Sequence, residues 1–358
     1  MKVVVYAISK NEEKFVNRWC KSMGEADSIY VLDTGSTDNT VKLLEENGVN
    51  VMVKEINPWR FDVARNESLD MVPDDADICI CTDLDEVFVP GWREELEKVW
   101  NRDTNRLRYV FNWSLDKNDK PIVSFYGEKI HSRNNYRWTH PVHEVLEYSG
   151  DNEKFVFTDS VIINHYPDSS KSRGSYLPLL ELSVRECPDD DRNMHYLGRE
   201  YMYYKRWNEC IETLIRHLNL PSATWKDERC ASMRFIARSY MNLGRYDEAK
   251  LWLEKAIKEA PYLRDPYVEM ALLDYRMGNY MDVIKNCTLA LRIKENRKTY
   301  INESFCFDST IDDLLSISYY ELGIYDISLY YIDRALKFDC GNERLIKNRE
   351  IIEKKSKE

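Results

Sequence analysis

The sequence predicts an α/β domain with a mostly parallel sheet, followed by an all-α domain of helical repeats. In the first half, short β-branched runs alternate with amphipathic helical patterns, the order expected of parallel strands joined by crossover helices. In the second half, strand patterns disappear and four similar helix–turn–helix segments follow one another. A chain of 358 residues is long enough for two domains, which we place at residues 1–185 and 186–358.

The first 81 residues carry four strand patterns and three helix patterns. The strands are predicted at residues 2–8, 29–32, 49–53 and 78–81. The helices are predicted around Phe15, Val16, Trp19 and Met23, around Val41, Leu43 and Leu44 up to Asn47 and Gly48, and over residues 61–69. Ser36 or Thr37 is expected to cap the second helix.

Polar residues follow three of these strands, at residues 9–12, 33–36 and 83–85. The ends of parallel strands meet at one edge of the sheet, where ligands bind in open α/β folds. Such loops are polar in any α/β protein, so solvated loops remain an alternative. The sequence has no GxGxxG or Walker pattern, which disfavours a dinucleotide oxidoreductase or a P-loop nucleotidase.

The acidic stretch after the fourth strand indicates a cation site. Asp83 and Asp85 follow the apolar residues 78–81 and lie two positions apart. Neighbouring carboxylates repel each other unless a cation or hydrogen-bond donors offset their charge. Mg²⁺ and Mn²⁺ prefer oxygen ligands, so one of them is the predicted cofactor. The alternative is a loop of solvated acids.

Three motifs carry a resemblance to a known family. Residues 31–40, read Val-Leu-Asp-Thr-Gly-Ser-Thr-Asp-Asn-Thr, resemble the DxGSTDxT signature of family 2 glycosyltransferases with the GT-A fold. Ala64-Arg65-Asn66 resembles the family's ARN element, and Asp83-Leu84-Asp85 resembles its metal-binding DxD. The fold implied is a Rossmann-like GT-A domain.

The resemblance implies roles on the donor side of the site. Asp33 is expected at the uracil or ribose of the nucleotide, with Ser9 and Glu12 beside the base and ribose. Arg65 is expected to face the diphosphate or to steady the acidic loop, where a surface salt bridge is the alternative. Asp85 is expected to ligate the metal, with Asp83 near ribose and metal and Glu86 structural. Thr34 stands where the family commonly has a second acid, which leaves the donor base open.

Residues 106–165 are expected to hold the acceptor side. The run Val142-His143-Glu144-Val145-Leu146 resembles the VHE element of family 2 transferases that carry helical repeats. An inverting enzyme needs a carboxylate to deprotonate the acceptor, and Glu144 is our candidate, with His143 positioning a substrate or phosphate. A His143–Glu144 pair across an edge strand, or a base at Asp116 or Asp119, remains open.

A histidine after the last strand pattern completes the predicted metal site. His165 follows an apolar run and resembles the third metal ligand that GT-A enzymes take from this side of the domain. Imidazole suits Mn²⁺ better than Mg²⁺. A simple hydrogen-bonded histidine is the alternative. Lys171, Arg173 and Tyr176 follow on a predicted helix and could reach the diphosphate.

The second half predicts about four tetratricopeptide-type repeats. Trp207, Tyr246, Tyr280 and Tyr325 occupy equivalent positions, separated by 39, 34 and 45 residues, and residues 298–310 are an insertion. In this interpretation a glycine allows the turn and the aromatic ring plugs the gap between paired helices. The groove is expected to hold an acceptor or partner, while a buttress or a homodimer surface remains open.

Composition limits the remaining function classes. The net charge of −11 disfavours nucleic acid as the main partner. Nine scattered cysteines without a CxxC pair or Cys/His array predict reduced thiols, a cytoplasmic protein and no zinc site. Residues 1–9 are too short for a signal peptide, and no apolar run is long enough for a membrane span.

Together these observations predict a metal-dependent, inverting glycosyltransferase of the hexosyltransferase type. Its donor would be a nucleotide sugar, with UDP the expected nucleotide, and its acceptor a peptide, protein or glycan. One rival is a nucleotidyltransferase, although residues 9–12 lack the Gly-rich basic loop of that class. The other is an inert repeat-based scaffold, disfavoured by the intact acidic motif.

Overall fold

The structure is a computed structural model that describes residues 1–168, 174, 176–295, 299 and 301–357. Lys171, Arg173 and part of the predicted insertion lie outside the described residues. The chain divides into two compact units, Met1–Ser183 and Val184–Glu358. Within the described residues, no helix combines the length and apolar character required to cross a bilayer.

An open sheet forms the centre of the first unit. Its strands are β1 (Val3–Ser9), β2 (Ser28–Asp33), β3 (Asn50–Val53), β4 (Ile78–Cys81), β5 (Glu86–Phe88), β6 (Arg106–Leu115), β7 (Pro121–His131) and β10 (Phe155–His165), and β8 (Tyr136–Thr139) pairs with β9 (Val145–Tyr148) in a separate hairpin. The strand order in the described sheet is β3-β2-β1-β4-β7-β6-β10-β5. The first four strands are parallel, β10 is parallel to β6, and β7 and β5 are antiparallel to their neighbours. The predicted α/β class is confirmed.

Helices cover both faces of this sheet because its central strands are apolar on both sides. The helices of the first unit are α1 (Glu13–Met23), α2 (Thr40–Glu46), α3 (Phe61–Asp70) and α4 (Trp92–Val99), with α5 (Tyr176–Glu186) at its boundary. Trp19 and Trp92 pack with Val3, Val5 and Ile80 on one face. Leu69 and Trp138 pack with Val4 and Tyr6 on the other.

The N-terminus of α2 differs from the prediction. Asn39 occupies the N-cap position, without a capping side-chain bond. Ser36 and Thr37 are held outside the helix, because the Asn11 backbone N–H donates to Ser36 Oγ (2.8 Å) and the Thr37 backbone N–H donates to Asn11 Oδ1 (2.8 Å). Pairing with the loop after β1 outweighs the local capping preference.

A buried chain of polar side chains joins β1, β7 and β8. Trp138 Nε1 donates to Tyr6 Oη (2.9 Å), and Tyr6 Oη is 2.8 Å from His131 Nε2. His131 Nδ1 lies 2.7 Å from the Ser132 carbonyl oxygen, which can only accept. Nδ1 therefore carries a proton. Burial lowers the pKa of His131 to about 3, so the imidazole is neutral at physiological pH.

This histidine should make the first unit acid-sensitive. Its pKa in the unfolded chain is about 6.5, so between pH 6.5 and 3 the unfolded state binds a proton that the folded state does not. Stability is therefore lost as the pH falls through this range, by about 3 kcal/mol at pH 4 from His131 alone. In urea unfolding at pH 7 and pH 4, His131→Gln should lose less stability than the wild type. The half-buried His140, changed to Gln, is the control, and an equal loss in wild type and His131→Gln would contradict the prediction.

The second unit consists of paired helices. They are α6 (Asp191–Tyr203), α7 (Trp207–Asn219), α8 (Lys226–Asn242), α9 (Tyr246–Glu259), α10 (Asp265–Arg276), α11 (Tyr280–Arg292), α12 (Thr310–Glu321), α13 (Tyr325–Phe338) and α14 (Glu343–Ser356), with a 3₁₀ turn at Ser304–Cys306. In the described residues this gives four helix pairs followed by one further helix. The predicted all-α repeat architecture is confirmed.

The repeat turns follow one geometry. Each turn between the two helices of a pair contains one residue with a positive φ. These residues are Lys205 (59°), Gly244 (74°), Gly278 (76°) and Gly323 (73°). Glycine adopts this conformation without steric cost, whereas lysine at the first turn does not. The aromatic residue that follows begins the second helix of each pair. Trp207 and Tyr325 pack against buried apolar residues of their repeats, whereas Tyr246 is 38% exposed.

Candidate active site

The carboxyl ends of β1 and β2 hold two of the predicted donor residues together. Ser9 lies opposite Asp33 in the parallel register, and Ser9 Oγ donates to Asp33 Oδ2 (2.8 Å). The backbone N–H groups of Gly35 and Ser36 donate to Asp33 Oδ1 (3.0 and 2.7 Å), and Ser36 Oγ donates to Oδ2 (2.6 Å). Asp33 is fully buried. In this structure its carboxylate therefore organises the loop at residues 33–36.

Glu12 lies beside this loop at the start of α1, where it is the N-cap residue. Its backbone N–H donates to Thr40 Oγ1 (2.7 Å), which ties the loop after β1 to the loop after β2. The two loops thus form one hydrogen-bonded wall beyond the sheet. The predicted neighbourhood of Ser9, Glu12 and Asp33 is present, while their contact with a nucleotide stays a prediction.

Arg65 links the acidic loop to the predicted base. It projects from α3 and is 5% exposed. Its Nη2 donates to Asp83 Oδ1 (2.9 Å), and its Nε donates to Glu144 Oε1. Its Nη1 is 3.3 Å from Cys81 Sγ, and the guanidinium lies over the Trp138 ring, 5.2 Å from the centroid. Of the alternatives predicted for Arg65, this geometry corresponds to steadying the acidic loop.

The charges of this cluster support one another. Burial opposes ionisation of Asp83, but Arg65 and then Lys129 lower the pKa of its carboxyl group far below the ordinary value. Burial likewise disfavours the charged guanidinium, yet Asp83 and Glu144 raise the pKa of Arg65 well above its ordinary value. Asp83 and Arg65 therefore stay ionised across the physiological pH range. A fixed positive charge lies between the carboxylates of Asp83 and Glu144.

Lys129 belongs to this cluster and was missed by the sequence analysis. Its Nζ donates to Glu86 Oε1 (2.6 Å) and lies 3.5 Å from Asp83 Oδ2. Glu86 Oε2 in turn accepts the backbone N–H of Asp83 (3.1 Å). A single lysine inside a strand pattern, distant in sequence from the acidic motif, carries no local signal. Only the pairing of β7 with β4 brings it there.

Asp85 faces His165 at the far side of the acidic loop. His165 Nε2 lies 3.4 Å from Asp85 Oδ2, while His165 Nδ1 is 3.0 Å from the Trp113 carbonyl oxygen. Since that carbonyl can only accept, Nδ1 carries the proton and Nε2 presents either a lone pair or a second proton to the carboxylate. Burial opposes the charged ring, but Asp85 raises the pKa of His165. Either a proton on His165 Nε2 or a metal ion between the ring and the carboxylate would offset the negative charge of Asp85.

Asp83, the remaining predicted metal ligand, lies apart from the Asp85–His165 pair. Ligands of one ion with bonds of about 2.2 Å are at most about 4.4 Å apart. Within the described part of the chain, Asp83, Asp85 and His165 are not a group whose ligand atoms all lie within 4.8 Å of one another. The Asp85–His165 pair is therefore the better-formed part of the predicted metal site, and Asp83 is turned to Arg65.

The predicted acceptor residues lie on the loop between β8 and β9. Glu144 is 12% exposed through its side chain and contacts Arg65. His143 has a positive φ of 51° and stacks on the Tyr176 ring, with centroids 5.8 Å apart. A hairpin loop, not an edge strand, presents both residues. The hairpin is anchored to α3, because the Trp138 backbone N–H donates to Asn66 Oδ1 (2.9 Å) and the Trp138 carbonyl accepts from Asn66 Nδ2 (2.8 Å).

The competing acids have a turn-forming role. Asp116 Oδ1 accepts the backbone N–H groups of Asn118 (2.7 Å) and Lys120 (2.9 Å) between β6 and β7. Asp119 has a positive φ of 58° in the same turn. These contacts are those of a tight hairpin, so Glu144 is the better placed candidate for a base.

Comparisons with known proteins agree with the two-unit organisation. Residues 4–145 match the family model described as glycosyl transferase family 2. Residues 231–263 match the model of the tetratricopeptide repeat. A search of curated proteins finds no match.

Several solved structures are similar to part of the chain at low sequence identity. A crystal structure of MamA is 17% identical, with a TM-score of 0.39, and the match covers 49% of this chain and 96% of that one. The Cut9–Hcn1 complex of APC/C is 12% identical, with a TM-score of 0.42, covering 51% and 33%. TTC0263, a tetratricopeptide protein of Thermus thermophilus, is 17% identical, with a TM-score of 0.37, covering 49% and 88%. Similarities at this level carry no conclusion about function.

Proposed function

We propose that this chain is a metal-dependent glycosyltransferase of the hexosyltransferase type. Residues 4–145, which match the glycosyl transferase family 2 model, would carry the catalysis, and repeats of the tetratricopeptide type follow them. The observation that carries this proposal is the convergence of Asp83, Asp85, Arg65 and Glu144 beyond the sheet edge of that domain. The donor is a nucleotide sugar with UDP as its nucleotide, and the product has inverted configuration.

Asp85 and His165 would hold the divalent cation, Mn²⁺ in preference to Mg²⁺ because one donor is an imidazole. The pair fits such an ion, since a ring nitrogen whose partner nitrogen is bonded to the Trp113 carbonyl faces a carboxylate at 3.4 Å. The ion would act as a Lewis acid that stabilises the charge developing on the leaving diphosphate. Asp83 would lie beside it, near the ribose.

The donor's nucleoside would occupy the wall formed by the loops after β1 and β2. The hydrogen bond between Ser9 and Asp33 joins the two loops where they leave their strands. Glu12 lies beside them at the start of α1. Because the Asp33 carboxylate is already bonded to four protein donors, its main contribution is to fix the loop that meets the base and ribose. A preorganised loop loses less conformational entropy when a ligand binds.

Glu144 would act as the base that removes the acceptor proton. Arg65 holds its carboxylate from one side through Oε1, which fixes its position relative to Asp83. His143, stacked on Tyr176, would position the acceptor or a phosphate oxygen. A base must lie within about 3 Å of the proton-bearing atom in a productive complex.

The repeats would bind the acceptor, a peptide or protein in preference to a glycan. A pocket of about 330 Å³ lies in the second unit, lined by residues that include Met202, Trp207, Arg238, Glu269 and Phe305. Its walls come mainly from α6, α8 and α10, the first helices of successive pairs. Apolar and charged groups together suit an extended peptide. A homodimer that uses the same surface is the alternative.

The cytoplasmic location expected from the scattered cysteines stays a prediction.

Asp85→Asn tests the proposed function most directly. Loss of a residue that merely supports a ligand costs about 10–100-fold in metal affinity, so loss of a ligand should weaken Mn²⁺-dependent UDP binding at least about 100-fold. Calorimetric titration of UDP with and without Mn²⁺ measures this effect, and a screen of nucleotide sugars for Mn²⁺-dependent hydrolysis identifies the donor.

Asp103→Asn is the matched control, because Asp103 is an exposed acid paired with Lys154 on the surface. It should bind UDP as the wild type does. Unchanged Mn²⁺-dependent UDP affinity in Asp85→Asn would remove the metal-binding role of this carboxylate. Absence of any nucleotide-sugar turnover in the wild type would favour the scaffold interpretation.

A further inference from the structure

The ends of three helices from the first two helix pairs bring a histidine and two acids together in the second unit. Asp191 is the first residue of α6, His217 lies in the last turn of α7, and Glu228 lies in the first turn of α8. Their ligand atoms all lie within 4.8 Å of one another. We propose that this cluster, here called the repeat site, binds a divalent transition metal, with Zn²⁺ as its preferred ion.

The repeat site is largely buried, and one nitrogen atom of its histidine has no hydrogen bond to the described part of the chain. His217 is fully buried and Glu228 is 4% exposed, while Asp191 is half-buried. Among the described residues, His217 Nε2 has no hydrogen-bond partner. A buried polar nitrogen without a partner costs about 1–3 kcal/mol. A metal ion at this position would remove that cost.

The separation of the donor atoms fits a metal better than a hydrogen bond. His217 Nε2 lies 3.4 Å from Glu228 Oε1, beyond the range of about 2.7–3.2 Å for an N–H···O hydrogen bond. Two ligand atoms of a tetrahedral zinc with bonds of about 2.1 Å lie about 3.4 Å apart. The pair is therefore spaced as two ligands of one ion, with Asp191 as the third.

A hydroxyl group behind His217 can set the tautomer that a metal requires. Ser232 Oγ lies 3.0 Å from His217 Nδ1 and 2.7 Å from His195 Nδ1. The hydroxyl has one hydrogen, so between two neutral rings it donates to one Nδ1 and accepts from the other. When it donates to His195, His217 carries its proton on Nδ1 and directs the Nε2 lone pair at Glu228. Such a supporting hydrogen bond is typical of metal-bound histidine.

The donor set selects the class of ion. One imidazole and two carboxylates suit Zn²⁺ and similar transition metals, whereas Ca²⁺ and Mg²⁺ prefer oxygen ligands alone. The lack of Cys/His arrays in the sequence predicted no zinc site, but a set of one histidine and two carboxylates needs no cysteine. Bound there, the ion would join α6 and α7 to α8 and so stabilise the junction between the first two helix pairs.

Metal binding by the full-length, metal-stripped chain tests the proposal, and the Asp85→Asn background keeps the proposed active-site metal out of the measurement. Cys187→Ser and Cys340→Ser are added because these two cysteines are exposed and could bind zinc. This triple variant should bind one equivalent of Zn²⁺ in calorimetric titration and show higher thermal stability with Zn²⁺. With Co²⁺ it should develop the visible absorption of a low-coordinate site.

Adding Asp191→Asn or Glu228→Gln should abolish that equivalent and the Co²⁺ absorption. Adding Glu209→Gln, an acid on α7 that pairs with Arg206 at the surface, should leave both unchanged. Asp191 is half-buried, so Asn at this position should fold even where changes at the buried His217 do not. No Zn²⁺ binding by the triple variant, or binding that survives Asp191→Asn and Glu228→Gln, would overturn the proposal and leave a buried His217–Glu228 pair.

Discussion

Glu144→Gln is expected to lower the rate of sugar transfer by about 10²–10⁴-fold, the usual contribution of a general base. Glutamine keeps the size of the side chain and can still accept the Arg65 N–H through its amide oxygen. It cannot take a proton from the acceptor at neutral pH. Donor binding, which depends on Ser9, Asp33 and Asp85 in our proposal, should change by less than about twofold because those groups are untouched.

UDP release from the donor sugar, followed with water or peptide as acceptor, measures the rate, and UDP titration measures binding. The control is Glu147→Gln, which changes an exposed acid three positions along, on β9. It should leave both quantities unchanged. Transfer at the wild-type rate in Glu144→Gln would place the base elsewhere and leave Glu144 as the partner of Arg65.

Arg234→Met is expected to destabilise the second unit by about 3–5 kcal/mol, the cost of breaking a buried ion pair by removing one partner. Arg234 is fully buried. Its Nη1 donates to Glu269 Oε1 (2.8 Å) and lies 3.7 Å from Asp265 Oδ1, and its Nη2 donates to the Ile301 carbonyl (2.8 Å). Methionine fills similar volume but removes this cation, so that of these contacts only the pairing of Glu269 with Arg238 remains.

Urea unfolding of the full-length chain, with separate transitions assigned to the two units, measures the effect. Arg245→Met is the matched control, since Arg245 pairs with Glu248 at the exposed start of α9. Surface pairs of this kind contribute about 0–1 kcal/mol. If Arg234→Met costs no more than Arg245→Met, the buried pair does not hold the repeats together.

The elements that were predicted well are those with a local cause. The strand pattern at residues 78–81 matches β4 in full, and the helix built on Trp19 became α1 because its apolar residues repeat with the helical period. The repeat turns could be predicted because each needs a residue with positive φ, and a single glycine, at Gly244, Gly278 or Gly323, marks that position in the sequence. The cap of α2 was wrong because Ser36 is bonded instead to a loop distant in sequence.

The two-unit architecture, the edge of the sheet that carries the acids, and the resemblance of the DxD and VHE elements could be predicted from the sequence, because each rests on residues close together in the chain. The contacts that those acids make depend on how distant parts of the chain fold together. Arg65 contacts Asp83 and also Glu144, which is 79 residues away in the sequence, and Lys129 reaches Glu86 through strand pairing. The repeat site likewise draws on three helices. Side-chain clusters of this kind depend on packing between elements distant in sequence, and no local pattern records that packing.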